Sequence, residues 1–172
     1  MSILYTTNKL LFFLVALCSS ALLHAQKESE VNGMVFRYEI ADDSIECFLS
    51  APTTGWLMLG FNNLNSTSSA DFKFFHILSG VGYSSDRINI GGRNYPEDTS
   101  LRGENNITLR FSRETKSQSM VSFSIPLTTN DSNDFQHNLN QPFWLILAYS
   151  SEDDFLHHSR MRKHLPFKWE PK

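Results

Sequence analysis

Two adjacent histidines, His157 and His158, stand in the segment Asp153-Asp154-Phe155-Leu156-His157-His158-Ser159-Arg160, and His164 follows a few residues on. Neutral imidazole is the commonest protein ligand for transition metals and also holds haem iron, which makes this pair the first candidate for binding chemistry. Along an extended chain neighbouring side chains diverge, so one of the two is expected to enter a pocket between sheets while the other points away. A ligating imidazole needs its second ring nitrogen held, and Asp153 or Asp154 is near enough in sequence to hold it. The bland alternative is a polar turn that happens to contain two histidines.

Other reactive groups are sparse. Asp42-Asp43 and Asp153-Asp154 have the composition of an acid/base pair or a calcium site, yet each falls at an expected turn, where Asp bonds its own backbone. The chain has no phosphate-cradling glycine loop, no nucleophile elbow and no His-Glu-x-x-His pair, so no enzyme is expected. Cys47 shares its alternation face with Ile45 and Leu49 and reads as a small buried hydrophobe.

The N-terminus has the layout of a secretory signal peptide over residues 1–25. Lys9 supplies the positive charge, an apolar run extends from Leu10 to Leu23, and cleavage is expected after Ala25. The run is shorter than the roughly twenty residues that span a bilayer as a helix. The expected mature chain, residues 26–172, is one domain with Cys47 as its single cysteine, secreted or periplasmic, with no membrane span. The whole chain carries a net charge of −3, and no dense basic stripe appears, so nucleic acid is not an expected partner.

Period-two alternation dominates the elements that must position these residues. Met34, Phe36, Tyr38 and Ile40 alternate, as do Ile45, Cys47 and Leu49, then Ile107, Leu109 and Phe111, then Val121, Phe123 and Ile125, then Leu165, Phe167 and Trp169. Gly55 to Phe61 places Trp56 and Met58 on one face and Leu57, Leu59 and Phe61 on the other. Asp71 to Leu78 reads as a strand, and Ile88 and Ile90 as a short one. Phe143 to Tyr149 is apolar on both faces and is expected in the middle of a stack. Turn chemistry marks 80–86, 95–103 and a long polar loop over 128–140, expected to be mobile. The pattern predicts an all-β fold, an antiparallel β-sandwich of about nine to eleven strands, with a closed barrel as the alternative. Met34, Phe36, Ile45, Cys47, Trp56, Val121, Phe123, Trp144 and Ile146 are the expected core.

The ordered set Gly55-Trp56-Leu57-Met58-Leu59-Gly60-Phe61, Ala70-Asp71, Ser124-Ile125-Pro126-Leu127, Phe143 to Tyr149 and Asp153 to Ser159 resembles the DOMON domain, from about Val31 to Trp169. The resemblance implies an immunoglobulin-like sandwich in extracytoplasmic proteins that binds haem b or, in some members, sugars. Where haem binds in that family, one Met and one His hold the iron. By position His157 or His158 corresponds to the His, with His158 preferred, and Thr67 stands at the place of the Met. A hydroxyl replaces a thioether poorly on haem iron. Met58, Met161 and His76 are the residues that could compensate, and Arg162-Lys163 stands where the family more often has Arg-Gly.

The expected function is therefore a secreted haem-b-binding domain for electron transfer or redox sensing, working with a separate redox partner protein. Trp56, Phe61, Phe72 and Phe74 are the expected walls of its slot. The alternatives are a haem-free carbohydrate or small-ligand module, with Tyr83, Tyr95 and Trp144 as platforms, or a structural interaction domain. Asn65, Asn106 and Asn130 each lie in a glycosylation sequon.

Overall fold

Alternating strands each need two environments, and a pair of stacked sheets supplies them. The structure, a computed structural model, describes residues 27–171; the expected leader peptide and its cleavage point lie outside these. One sheet contains β1 (Lys27–Val31), β2 (Met34–Ala41), β3 (Ser44–Ala51), β8 (Ser119–Pro126) and β7 (Thr108–Glu114), in that spatial order. The second contains β10 (Met161–Phe167), β9 (Phe143–Tyr149), β4 (Leu57–Asn62), β5 (Asp71–Leu78) and β6 (Val81–Ile88). Neighbouring strands pair antiparallel throughout both sheets. The fold is thus the expected β-sandwich.

Between the sheets, Met34, Phe36, Ile45, Leu49, Val121 and Phe123 from the first meet Leu57, Leu59, Phe61, Phe75, Leu145 and Leu147 from the second. Cys47 is buried among them, and burial pushes its thiol well above its ordinary pKa. Trp169 plugs one end against Tyr38, Phe143 and Phe167. The β1–β2 turn uses Asn32 and Gly33, both at positive φ (49° and 77°), which matches the twist of a tight hairpin.

β4 is buried on both faces. Its inner residues belong to the shared core; its outer ones, Trp56 (just before the strand) and Met58, join Ala70, Phe72, Phe74, Ile146 and Ala148 in a separate cluster on the outside of the second sheet. Gly60 lies in the same outer file, and a Cβ there would meet the Phe72 ring at 2.6 Å, so the missing side chain is what lets Phe72 lie down on the strand.

Several expectations fail locally. The 80–86 segment is not a loop but most of β6, entered by a tight turn at Ser79 and Gly80 (φ 52° and 80°). Its Gly, Ser and Asp residues carry no apolar alternation, because its inward positions hold polar groups. The short strand expected at Ile88 and Ile90 ends at Ile88, and Ile90 is exposed. A register shift between Leu109 and Phe111 turns Phe111 outward, so the file Ile107, Leu109, Phe111 does not share a face. β1, with the sequence Lys-Glu-Ser-Glu-Val, is a polar edge strand that periodicity did not reveal. Trp144 is only half-buried, facing outward between Asn62 and Pro166. The 128–140 loop is fastened to the body: Phe135 and His137 pack on Phe61, and Asp134 reaches Lys73.

Candidate ligand pocket

The outer cluster of the second sheet is the floor of a pocket of about 370 Å³, within the range typical of small-ligand sites. Trp56, Met58, Phe72, Phe74 and Ala148 form the floor, and Phe155 to Ser159, Arg93, Tyr95 and Arg162 form its walls. Pairing explains the placement. Arg162, Ala148, Met58 and Phe74 stand opposite one another across four neighbouring strands and form one transverse row. Tyr95 meets Phe72 edge-on at 5.6 Å, closing the β5 side.

The loop after β9 covers the rest. It is held by its backbone, since Trp56 N donates to Glu152 O at 3.0 Å and Arg160 N donates to Tyr149 O at 2.8 Å. Ser150 Oγ donates to the His158 carbonyl at 3.0 Å. Phe155 is wedged between Phe74 (5.3 Å between ring centres), His76 (4.7 Å) and the Arg87 guanidinium above its face (5.4 Å).

The pocket is therefore on the outside of a sheet, not between the sheets. Phe61, expected as a wall, belongs to the inner core instead. Nor do the two histidines diverge. The chain turns at Asp154–His157, where His157 N donates to Asp154 O at 2.9 Å, and both rings line the pocket with centres 6.2 Å apart. Neither neighbouring carboxylate holds an imidazole: Asp154 Oδ1 accepts from Leu156 N at 2.8 Å, and the Asp153 carbonyl, not its carboxylate, contacts His76 Nδ1 at 3.0 Å.

His158 Nε2 lies 3.2 Å from Arg93 Nη1. A guanidinium only donates, so Nε2 is the acceptor and Nδ1 carries the proton of the neutral ring. The lone pair that could bind a metal thus faces a pocket-lining cation. Met58, 3 % exposed, presents a thioether on the floor. Met161 lies in the inner core, and His76 stands behind Phe155. Thr67 does not line the pocket; its carbonyl accepts from Asn89 Nδ2 at 2.6 Å and from Ala70 N at 3.2 Å. Of the three suggested sugar platforms only Tyr95 lines it. Trp56 Nε1 is buried without an acceptor among the described residues. Arg93 carries no sequence signal, because its loop, Gly91-Gly92-Arg93-Asn94-Tyr95, has no periodicity to register.

A second polar feature was not foreseen at all. Lys73 Nζ, on the inner face of β5, is ringed by Asp71 Oδ1 (2.8 Å), Asp86 Oδ1 (2.5 Å) and Asp134 Oδ1 (2.9 Å), all buried. These three carboxylates are close enough together to hold a metal ion, but the ammonium occupies the position between them. Burial alone would push the Lys73 pKa down; the carboxylates outweigh it and hold it above the usual range. With three acids to one base, burial raises Asp71, and lifts Asp86 to about 8 in spite of Lys73. Asp98, in the 3-10 turn Asp98–Leu101, has no exposure and, among the described residues, no hydrogen-bond partner for either carboxylate oxygen; burial, then the Asp71 charge, push it up to about 7.

A sequence profile of the DOMON domain matches residues 30–150. No curated protein matches the sequence significantly. Among solved structures, the fold is similar to the cytochrome domain of Myriococcum thermophilum cellobiose dehydrogenase (TM-score 0.60, 9 % identity, covering 84 % of this chain and 82 % of that one). It is also similar to the cytochrome b domain of pyranose dehydrogenase from Coprinopsis cinerea (TM-score 0.60, 10 % identity, covering 83 % and 80 %).

Proposed function

Because the chain belongs to the DOMON domain family, we propose that its outer pocket binds haem b and that the domain serves electron transfer or redox sensing. The observation that carries this reading is the pairing of an imidazole lone pair, His158 Nε2, with an apolar floor containing the Met58 thioether. The donor set suits the group. Imidazole and thioether are both ligands of haem iron in electron-transfer proteins, and the aromatic walls exclude water from a flat apolar ring. His158 would be the firm ligand, and Met58 would take the part that Thr67 cannot. When bound, haem would supply one-electron chemistry; the chain would position it, tune it through burial and ligand choice, and exchange electrons with a separate partner protein. No enzyme activity of its own is assigned. The sequence of residues 1–25 supports an extracytoplasmic setting, and no helix among the described residues is long and apolar enough to cross a membrane.

Titration of the purified protein with haemin, followed by absorption spectra before and after reduction, tests this. A Soret band saturating at one equivalent is expected. His158→Ala should abolish it, His157→Ala should change it little, and Met58→Leu should convert a low-spin to a high-spin spectrum. Absence of a stoichiometric band, or indifference to both His158→Ala and Met58→Leu, would sink the proposal.

A further inference from the structure

The charges around the pocket are one-sided. Arg93 and Arg162 line it together with His157 and His158, and no carboxylate does. Neither guanidinium forms an ion pair among the described residues, whereas Arg37, Arg87 and Arg110 are paired with Glu28, Glu97 and Glu46. Arg93 instead donates to a neutral imidazole, the lone pair of His158 Nε2. That is a weak partner for a guanidinium, whose planar fork matches a carboxylate. A metal at Nε2 would take this lone pair and leave Arg93 without an acceptor. Arg162 stands at the β10 margin, three strand spacings (roughly 14 Å) from Phe74 in the same transverse row. One pocket thus combines an apolar floor with two cations that form no ion pair among the described residues.

We propose that Arg93 and Arg162 are the specificity-determining residues of this pocket and select a flat apolar ring that carries carboxylates. Arg93 caps His158 Nε2 and turns to a ligand carboxylate when the imidazole is engaged. The identity of the ring rests on the haem reading; the anionic arms do not.

Metal-free protoporphyrin IX separates the two, because it has the ring and both carboxylates but no iron to ligate. Its affinity, and that of its dimethyl ester, would be measured by quenching of intrinsic tryptophan fluorescence, with circular dichroism confirming that each variant is folded. The wild type should bind the diacid at least tenfold more tightly than the diester, and added salt should narrow the gap. The Arg93→Met/Arg162→Met double variant should bind both alike, Arg93→Lys should keep part of the preference, and His158→Ala should keep all of it. Equal binding of diacid and diester by the wild type, or a preference that survives in the double variant, would overturn the assignment. Haemin giving a His158-dependent Soret band without any diacid preference would leave the haem reading standing and remove this one. A diacid preference without His158-dependent haemin binding would do the reverse, and failure to bind haemin as well as both metal-free porphyrins would remove both.

Discussion

His137 is 6 % exposed, edge-on to Phe61 at 4.6 Å and close to Phe135 and Trp169. Burial, and then the Lys73 charge, push its pKa down to about 3. The unfolded chain therefore takes up a proton near pH 6.5 that the folded chain refuses, so this residue's contribution is full above pH 6.5 and is lost as pH falls toward 3. Asp98 works in the opposite sense. Its folded pKa, near 7, exceeds the unfolded value of 3.8, so its contribution is present below about pH 4 and is lost as pH rises to 7. Thermal melts from pH 4 to 8 should show His137→Phe flattening the acid limb. Asp98→Asn should gain about 1–3 kcal/mol at pH 8 relative to its effect at pH 4.5, because a buried carboxylate without a partner is replaced by a neutral group. Equal shifts at both pH values would refute the Asp98 assignment. Neither residue could be picked out from the sequence. His158 and Met58 stand out in the sequence as candidate ligands by residue type alone; Lys73, Asp98 and His137 owe their properties to burial and to neighbours distant in the chain.

At the scale of elements, alternation located most of the strands because their inner files are apolar. It failed where an inner file is polar, as in β6, or where a bulge changes the parity, as in β7. The loop carrying His157 and His158 departs from the alternating pattern for another reason: its backbone turns at Asp154–His157 instead of running extended. What seats that loop is Gly55. A Cβ there would meet the backbone of Ser150, Ser151 and Glu152 at 2.4–2.6 Å, and backbone cannot give way as a flexible side chain can. Gly55→Ala should therefore push the loop off the sheet and weaken ligand binding by more than tenfold, with a modest loss of melting temperature. Compared in the same titration, an unaltered affinity for haemin would show that the seat does not govern the histidines.

The whole molecule depends on joining the ends of its sheets as well as on its aromatic core. Lys73 ties β5 to β6 through Asp86 and to the 128–140 loop through Asp134, while Asn106 donates to Asp134 Oδ2 (2.6 Å) and to Asp86 Oδ2 (3.1 Å), adding the segment before β7. Lys73→Met should cost about 3–5 kcal/mol in chemical denaturation, since it leaves three buried carboxylates without their cation. A loss below 1 kcal/mol would mean that the carboxylates are already protonated and the ammonium is dispensable. The sandwich itself was readable from pattern alone; this cross-tie was not, because its members come from three separate stretches of chain.

The second sheet is a wall with a different tenant on each side. Its inner file is committed to the core with the first sheet, whereas Trp56, Met58, Phe72, Phe74 and Ala148 pack together in a separate outer cluster that lines the pocket. Substitutions on the outer file are thus largely uncoupled from those that decide folding, as residues without shared partners generally are. A lineage built on this scaffold can exchange one ligand for another by rewriting a few outward positions and two loops, while selection for folding acts on the other side of the same strands.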